Sequence, residues 1–191
     1  MWKTIVKAFL LLLGLTLLTG VLYPLAVTGI AEVCFPAQAN GSLIYVQSRP
    51  VGSSLIGQDF QGEQYFHGRP SASGYDAQAS GGSNQAPTNR QLIATVGERV
   101  NAVRQENRLA KNQPVPSELV TAAASGLDPH ITPAGAQLQA SRVAKIRKLT
   151  LETVSRLIDQ ATERPFLGLF GVSRVNVLRL NVALDSLQNR G

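Results

Sequence analysis

One cysteine, Cys34, stands in a chain of 191 residues. That excludes an internal disulfide framework, so packing must hold whatever folds here. Only two histidines occur, His67 and His130, and no cysteine or carboxylate stands around them at metal-ligand spacing. No metal ligand is assigned. A Gly-x-Ser-x-Gly elbow is missing, so Asp128, His130 and the many serines lack the setting of a hydrolytic triad. Asp128-Pro129-His130 reads instead as a turn capped by its own aspartate. No Gly-Lys-Ser/Thr follows any glycine-rich stretch, which removes the lysine that intrinsic nucleotide hydrolysis needs, and no Asp-Lys-Thr-Gly-Thr phosphorylation string occurs. No catalytic residue is assigned. The formal charge is +6, but with Lys3 and Lys7 set apart 16 Lys and Arg face 12 Asp and Glu. That excess of four, without interleaved aromatics, excludes a nucleic-acid partner.

What the chain does have is a single long uncharged run, AFLLLLGLTLLTGVLYPLAVTGIA, over residues 8–31. At roughly 1.5 Å per residue its helix covers about 36 Å, against a hydrocarbon core of about 30 Å. It is too long for the core of a cleaved signal peptide and apolar all round, unlike a buried core helix. Glu32 and Val33 before Cys34 break the pattern of a lipidated cysteine. A retained signal anchor is the expected reading. Lys3 and Lys7 precede the run and the first positive residue after it is Arg49, which places the N-terminus in the cytoplasm and the rest outside. Gly14, Thr16, Thr19, Gly20, Tyr23, Pro24 and Thr28 mark the surface offered to a partner helix, with Gly29 a further small residue. Pro24 frees a carbonyl one turn back, and in lipid that group wants a neighbour.

About 160 residues remain, enough for one domain with its own core and no second spanning run. Residues 32–42 read as a Pro- and Gly-punctuated linker. Residues 43–47 (LIYVQ) suit a short strand, and Arg49-Pro50 a turn after it. Tyr65 and Phe66 are expected to plug a core. Residues 71–89 are nearly all small or polar and form a loop of about 19 residues, a length that is usually functional or disordered. A helix is expected over residues 90–110, capped by Thr88 or Asn89, with Leu92, Val96, Val100 and Val103 inward. A short helix can start at Pro116. Thr132 caps and Pro133 begins a helix to about Leu149, with Leu138, Val143, Ile146 and Leu149 inward and Arg142, Lys145, Arg147 and Lys148 outward. Another starts at Thr150, with Leu151, Val154, Leu157, Ile158 and Ala161 on its apolar side, and ends at Arg164-Pro165. FLGLFG, residues 166–171, is a connector. RVNVLRL, residues 174–180, alternates like a strand, and a closing helix follows with Asn181 as its cap.

Within the long loop, Ser80-Gly81-Gly82-Ser83-Asn84 is the most suggestive string. Glycine turns flanked by hydroxyls can cradle an anion, and an ordered polar loop is the alternative. It faintly resembles the Ser-Gly-Gly core of the ABC-transporter signature.

An ordered set of strings runs through nearly the whole chain. Thr19-Gly20 and Tyr23-Pro24 come first, then GSSLIGQ at residues 52–58, YFHGRPSA at 65–72, ASGGSN at 79–84, SGLDPHI at 125–131 and Arg142-Val143-Ala144. VNVL at 175–178, Leu180-Asn181 and Ala183-Leu184-Asp185 complete it. In this order they resemble the C subunit of the bacterial Kdp potassium-transporting P-type ATPase. The one departure noted is Val172-Ser173, where an acidic or Pro-containing pair is common. The resemblance implies a non-catalytic subunit that joins a potassium-conducting subunit to an ATP-hydrolysing one, with a small single-span subunit as a further partner. It also implies a catalytic chaperone that raises the ATP affinity of the hydrolytic subunit, with residues 80–84 as a nucleotide-related loop. No cofactor is assigned to the chain itself; ATP and potassium are handled by the complex. The expected architecture is α+β. A cytoplasmic tail (1–7), a membrane helix (8–31) and a linker (32–42) precede one external domain (43–191), a small β-sheet packed by three to four helices, in the bacterial inner membrane. The rival readings are a membrane-anchored external binding module and an anchored hydrolase, each using the polar loop as ligand site.

Overall fold

A computed structural model describes residues 1–188. The chain divides into two compact units, Met1–Leu43 and a second beginning at Ile44.

The first unit is a continuous apolar helix, Trp2–Cys34, built of α1 (Trp2–Leu17), a π-helical turn (Leu18–Leu22) and α2 (Tyr23–Cys34). It contains the expected span and runs past it at both ends. Pro24 explains the wide turn. It has no N–H to donate one turn back, and its ring crowds the carbonyl there. The Tyr23 N–H bonds the Leu18 carbonyl five residues back, and the Thr19 hydroxyl donates to the Leu15 carbonyl at 2.7 Å. No residue of this helix is buried. It stops at Phe35, which leaves the helical conformation ahead of Pro36, and a single turn α3 (Pro36–Ala39) follows. Asn40 closes the segment by donating to the Glu32 carboxylate at 3.0 Å.

The second unit is α+β. Strands β1 (Leu43–Val46) and β2 (Arg49–Ser53) form a two-stranded sheet. Helix α4 (Arg90–Glu106) starts at Asn89, whose side chain accepts from the Gln91 and Leu92 N–H groups. A 3-10 turn (Ser117–Leu119) leads to β3 (His130–Ile131). Thr132 caps α5 (Pro133–Arg147) through the Gly135 N–H, and Thr150 caps α6 (Leu151–Ala161) through the Thr153 N–H. Then come β4 (Thr162–Glu163), β5 (Arg174–Asn176) and α7 (Val177–Gln188). The three-stranded antiparallel sheet has the order β3-β5-β4, with Ile131 opposite Val175 and Glu163 opposite Arg174. The core lies between this sheet and α5, α6 and α7. Ala136, Ala140 and Val143 of α5 meet Val154 and Ile158 of α6 and Leu180 and Leu184 of α7. Phe66 is fully buried among them although no helix or strand carries it. Its burial contributes about 2 kcal/mol.

Several local expectations are corrected. Arg49-Pro50 lies in β2, and the turn falls on Gln47 and Ser48, both at positive φ as a two-residue hairpin turn requires. Arg142 and Arg147 are buried, not outward, while Ile146 is 40% exposed. The strand expected over residues 174–180 ends at Asn176, and the helix begins at Val177. Asn181 is therefore no cap but a buried residue inside α7. The segment after α6 first adds β4, too short to show a period in sequence.

Candidate functional site

Between β2 and α4, residues 54–89 form no helix or strand. Buried polar groups must nevertheless be paired, and side chains from distant elements supply the partners. Asn181 works both ways on one residue: its Oδ1 accepts from the Phe66 N–H at 2.9 Å, and its Nδ2 donates to the Phe66 carbonyl at 3.0 Å. Gln139 does the same for His67, at 2.8 and 3.1 Å. Each amide stands in for a neighbouring β-strand. Asn176 donates to the Ser54 carbonyl at 2.8 Å, and the Gly57 N–H reaches the Leu127 carbonyl at 2.8 Å.

Two arginines of α5 finish the clamp. Arg142 donates through Nη1 to the Tyr65 carbonyl at 3.0 Å and to the Glu63 carbonyl. Its Nη2 donates to Gln139 and its Nε to Asn107, with the Glu106 carboxylate 3.4 Å away. Arg147 donates to the Gln64 carbonyl, pairs with Asp185 at 2.7 Å and lies over the Tyr65 ring. Burial pushes the Glu106 carboxyl up. The His67 hydrogen bond and the His67 and Arg142 charges outweigh it and hold the group below its ordinary value. A cavity of about 360 Å³ opens beside Arg142, lined by Glu63, Glu106, Asn107, Arg108 and Lys145 among others.

Asp128 and His130 sit at a second cluster. The His130 N–H donates to Asp128 at 3.0 Å, so the aspartate does cap its own turn, and Arg69 donates to the other oxygen at 3.2 Å. The His130 ring lies 3.7 Å from Asp128 and 4.0 Å from Glu163. The His130 side chain first, then its N–H and Arg69, hold the Asp128 carboxyl below its ordinary value; Arg174 does the same for Glu163. Among the described residues, no group of three or more His, Cys, Asp and Glu is placed to hold a metal ion.

The Gly-Gly loop is pinned at one end. The Gly81 N–H and the Ser80 hydroxyl both donate to the Ser125 carbonyl, at 2.9 and 3.1 Å. A Cβ on Gly82 would lie 2.9 Å from the Ala124 carbonyl oxygen, and one on Gly126 would lie 2.8 Å from that of Gly81. These glycines allow two backbones to meet. Ser83 and Asn84 are exposed beyond the contact, Asn84 at positive φ. In the other unit, Gly14, Thr16, Thr19, Gly20, Tyr23, Pro24 and Thr28 are all exposed along the helix, and a Cβ on Gly14 or Gly20 would touch nothing within 4 Å.

Residues 5–186 match the family described as K+-transporting ATPase, c chain, or KdpC. The chain belongs to the KdpC family. A potassium-transporting ATPase KdpC subunit of Polaromonas naphthalenivorans is 56% identical over 184 residues, covering 95% of this chain and 93% of the relative. Those of Polynucleobacter asymbioticus and Mycobacterium tuberculosis (strain CDC 1551 / Oshkosh) are 52% and 49% identical, covering 96% and 98% of this chain and 98% and 100% of the relatives. The helix long and apolar enough to cross a bilayer makes this KdpC-family chain a membrane-anchored protein. Most strings of its soluble unit that carry the KdpC resemblance bond directly to one another. GSSLIGQ meets SGLDPHI and VNVL, YFHGRPSA meets Arg142 and Asn181, and ASGGSN meets SGLDPHI. Sequence reasoning did not name Gln139, placed Arg147 outward, and met Asn176 only within the VNVL string. The available signal was a polar residue on the apolar face of a helix, as Gln139 is between Ala136 and Ala140.

Proposed function

We propose that this chain is the non-catalytic accessory subunit of a high-affinity, ATP-driven potassium uptake complex, assembling its potassium-conducting and ATP-hydrolysing subunits together with a small single-span subunit. The helix Trp2–Cys34 carries this reading: it holds the uncharged run of residues 8–31 and none of it is buried, in a chain whose relatives are named potassium-transporting ATPase KdpC subunits. Freed backbone polarity at Pro24 is best satisfied by neighbouring helices, which Gly14, Thr16, Thr19, Gly20, Tyr23 and Thr28 allow to approach. Lys3 and Lys7 keep residues 1–7 in the cytoplasm, residues 8–31 span, residues 32–42 connect, and the domain from residue 43 lies outside, over the mouth of the conducting subunit. Ser80, Gly81, Gly82, Ser83 and Asn84 are then across the membrane from ATP. The subunit raises ATP affinity of its hydrolytic partner by coupling through the span and its neighbours, not by touching nucleotide.

Detergent co-purification from native membranes tests the assembly role. The full chain should bring down both large subunits, and a chain lacking residues 1–31 should not; unchanged assembly refutes the proposal. Complexes depleted of the chain should show a raised KM for ATP. Cys34 and a Ser83→Cys variant should react with an impermeant thiol reagent added from outside. Reaction only from the cytoplasmic side overturns the orientation and returns the loop to the compartment of ATP.

A further inference from the structure

The β4–β5 hairpin ends in a tip unlike the rest of the domain's loops. Residues 166–172 read FLGLFGV. Phe166, Leu167, Leu169, Phe170 and Val172 are each between 67% and 81% exposed. The tip is also folded. Phe166 and Phe170 exchange N–H···O bonds at 2.9 and 3.0 Å, the Gly168 N–H reaches the Pro165 carbonyl at 3.0 Å, and the Leu169 N–H reaches that of Phe166 at 3.1 Å. Leu167 takes a positive φ of 54° to make this turn, a strained conformation for a large side chain. Below it, pairing of Glu163 with Arg174 and of Thr162 with Val175 fixes the hairpin to the core.

We infer that this tip inserts into the surface of an anionic lipid bilayer. Unsatisfied backbone is costly at the level of the acyl chains, and this tip bonds the N–H groups of Phe166, Gly168, Leu169 and Phe170 internally while showing solvent nothing but apolar side chains. Across the tip itself, between Pro165 and Ser173, no side chain can make the hydrogen bonds that a protein interface carries at about one per 100–200 Å². Arg164, Arg174 and Arg179 stand at the base, with Glu163 paired to the last two. That leaves an excess of positive charge at the level of lipid phosphates, the arrangement of an interfacial anchor. The chain carries its own membrane helix, so a bilayer is always at high effective concentration. The inference rests on the anchor and not on the identity of any partner subunit.

A tryptophan reporter tests it. Trp2 is the chain's one tryptophan, so Trp2→Phe supplies a dark background for Leu169→Trp at the tip and Ile93→Trp on exposed α4. The full chain is reconstituted in vesicles of phosphatidylcholine and phosphatidylglycerol, and its native complex is reconstituted separately in the same vesicles, where the reporter is read as the difference between complexes with and without it. At the tip, emission should be blue-shifted and quenched by lipid spin-labelled near the headgroup, increasingly so with the phosphatidylglycerol fraction and in both preparations. The Ile93→Trp reporter should be quenched by aqueous acrylamide instead. Unshifted tip emission quenched by acrylamide overturns the inference. So does a tip shielded from both quenchers in the complex, which would mean that a protein subunit covers it.

Discussion

Replacing Arg142 by methionine removes the centre of the clamp while keeping most of the side chain's apolar volume. Four acceptors then lose a donor: the carbonyls of Glu63 and Tyr65 and the side-chain oxygens of Asn107 and Gln139. Not all are stranded. Gln139 Oε1 still accepts from the His67 N–H, and the cavity lined by Glu63 and Asn107 can admit water. The Tyr65 carbonyl and the Glu106 carboxylate, left with His67, carry most of the cost. Breaking a buried pair from one side costs about 3–5 kcal/mol, and the three relieved acceptors put the expectation at the lower half of that range. Against a total stability of about 5–15 kcal/mol this is severe, equivalent to a fall in Tm of about 6–16 °C. Near-UV circular dichroism of the full chain in detergent, followed through urea unfolding, reads the domain through Tyr65 and Tyr75 as a change over the steady signal of Trp2 and Tyr23 in the membrane helix. Arg142→Lys should fall between, because an ammonium cannot reproduce the planar fork. Limited proteolysis should cut Arg142→Met within residues 54–89 well before wild type. A loss below about 1 kcal/mol with no new cleavage would falsify the idea that this arginine holds the coil.

Gly126→Ala places a Cβ at φ 69° against the Gly81 carbonyl and Ser73, so a loss of about 1–3 kcal/mol is expected. A thiol at Ser83→Cys should also react faster in that variant; unchanged reactivity would separate the loop from its contact. Acid should weaken the domain, because Asp128, Glu163 and Glu106 all titrate below their ordinary values when folded. Folded carboxyls of lowered pKa add stability that is complete above the unfolded value, about 4, and is lost as pH falls through and below it. The urea midpoint should therefore drop below about pH 4, with a shallower slope in Asp128→Asn; a midpoint insensitive to acid contradicts the assignment.

Elements whose causes are local were legible in the sequence. Asn89, Thr132 with Pro133, and Thr150 start helices by chemistry confined to one turn, and the apolar face of α6 follows from Val154 and Ile158 alone. What escaped has its cause elsewhere in the chain. Long charged side chains at helical spacing default to solvent, and carbonyls of residues 63–65, with Asn107 and Asp185, draw Arg142 and Arg147 inward. Asn181 has the look of a helix cap, yet its partner is Phe66. Gln47 and Ser48 turn the first hairpin at positive φ without the Gly or Asn that usually announces it. The ordered strings were legible as a set, but nothing in their order said that they touch.

The wide turn before Pro24 alters how the membrane helix can be read by its neighbours. A turn closed five residues back holds one residue more than an ordinary one, so everything beyond it is rotated by about 100°. In an unbroken helix Gly14 and Thr28 would face within about 40° of each other; with the extra residue they diverge to about 140°. One straight groove cannot receive both. A scan of single-residue labels along the helix should resolve into two periodic stretches out of phase, changing over at residues 18–22.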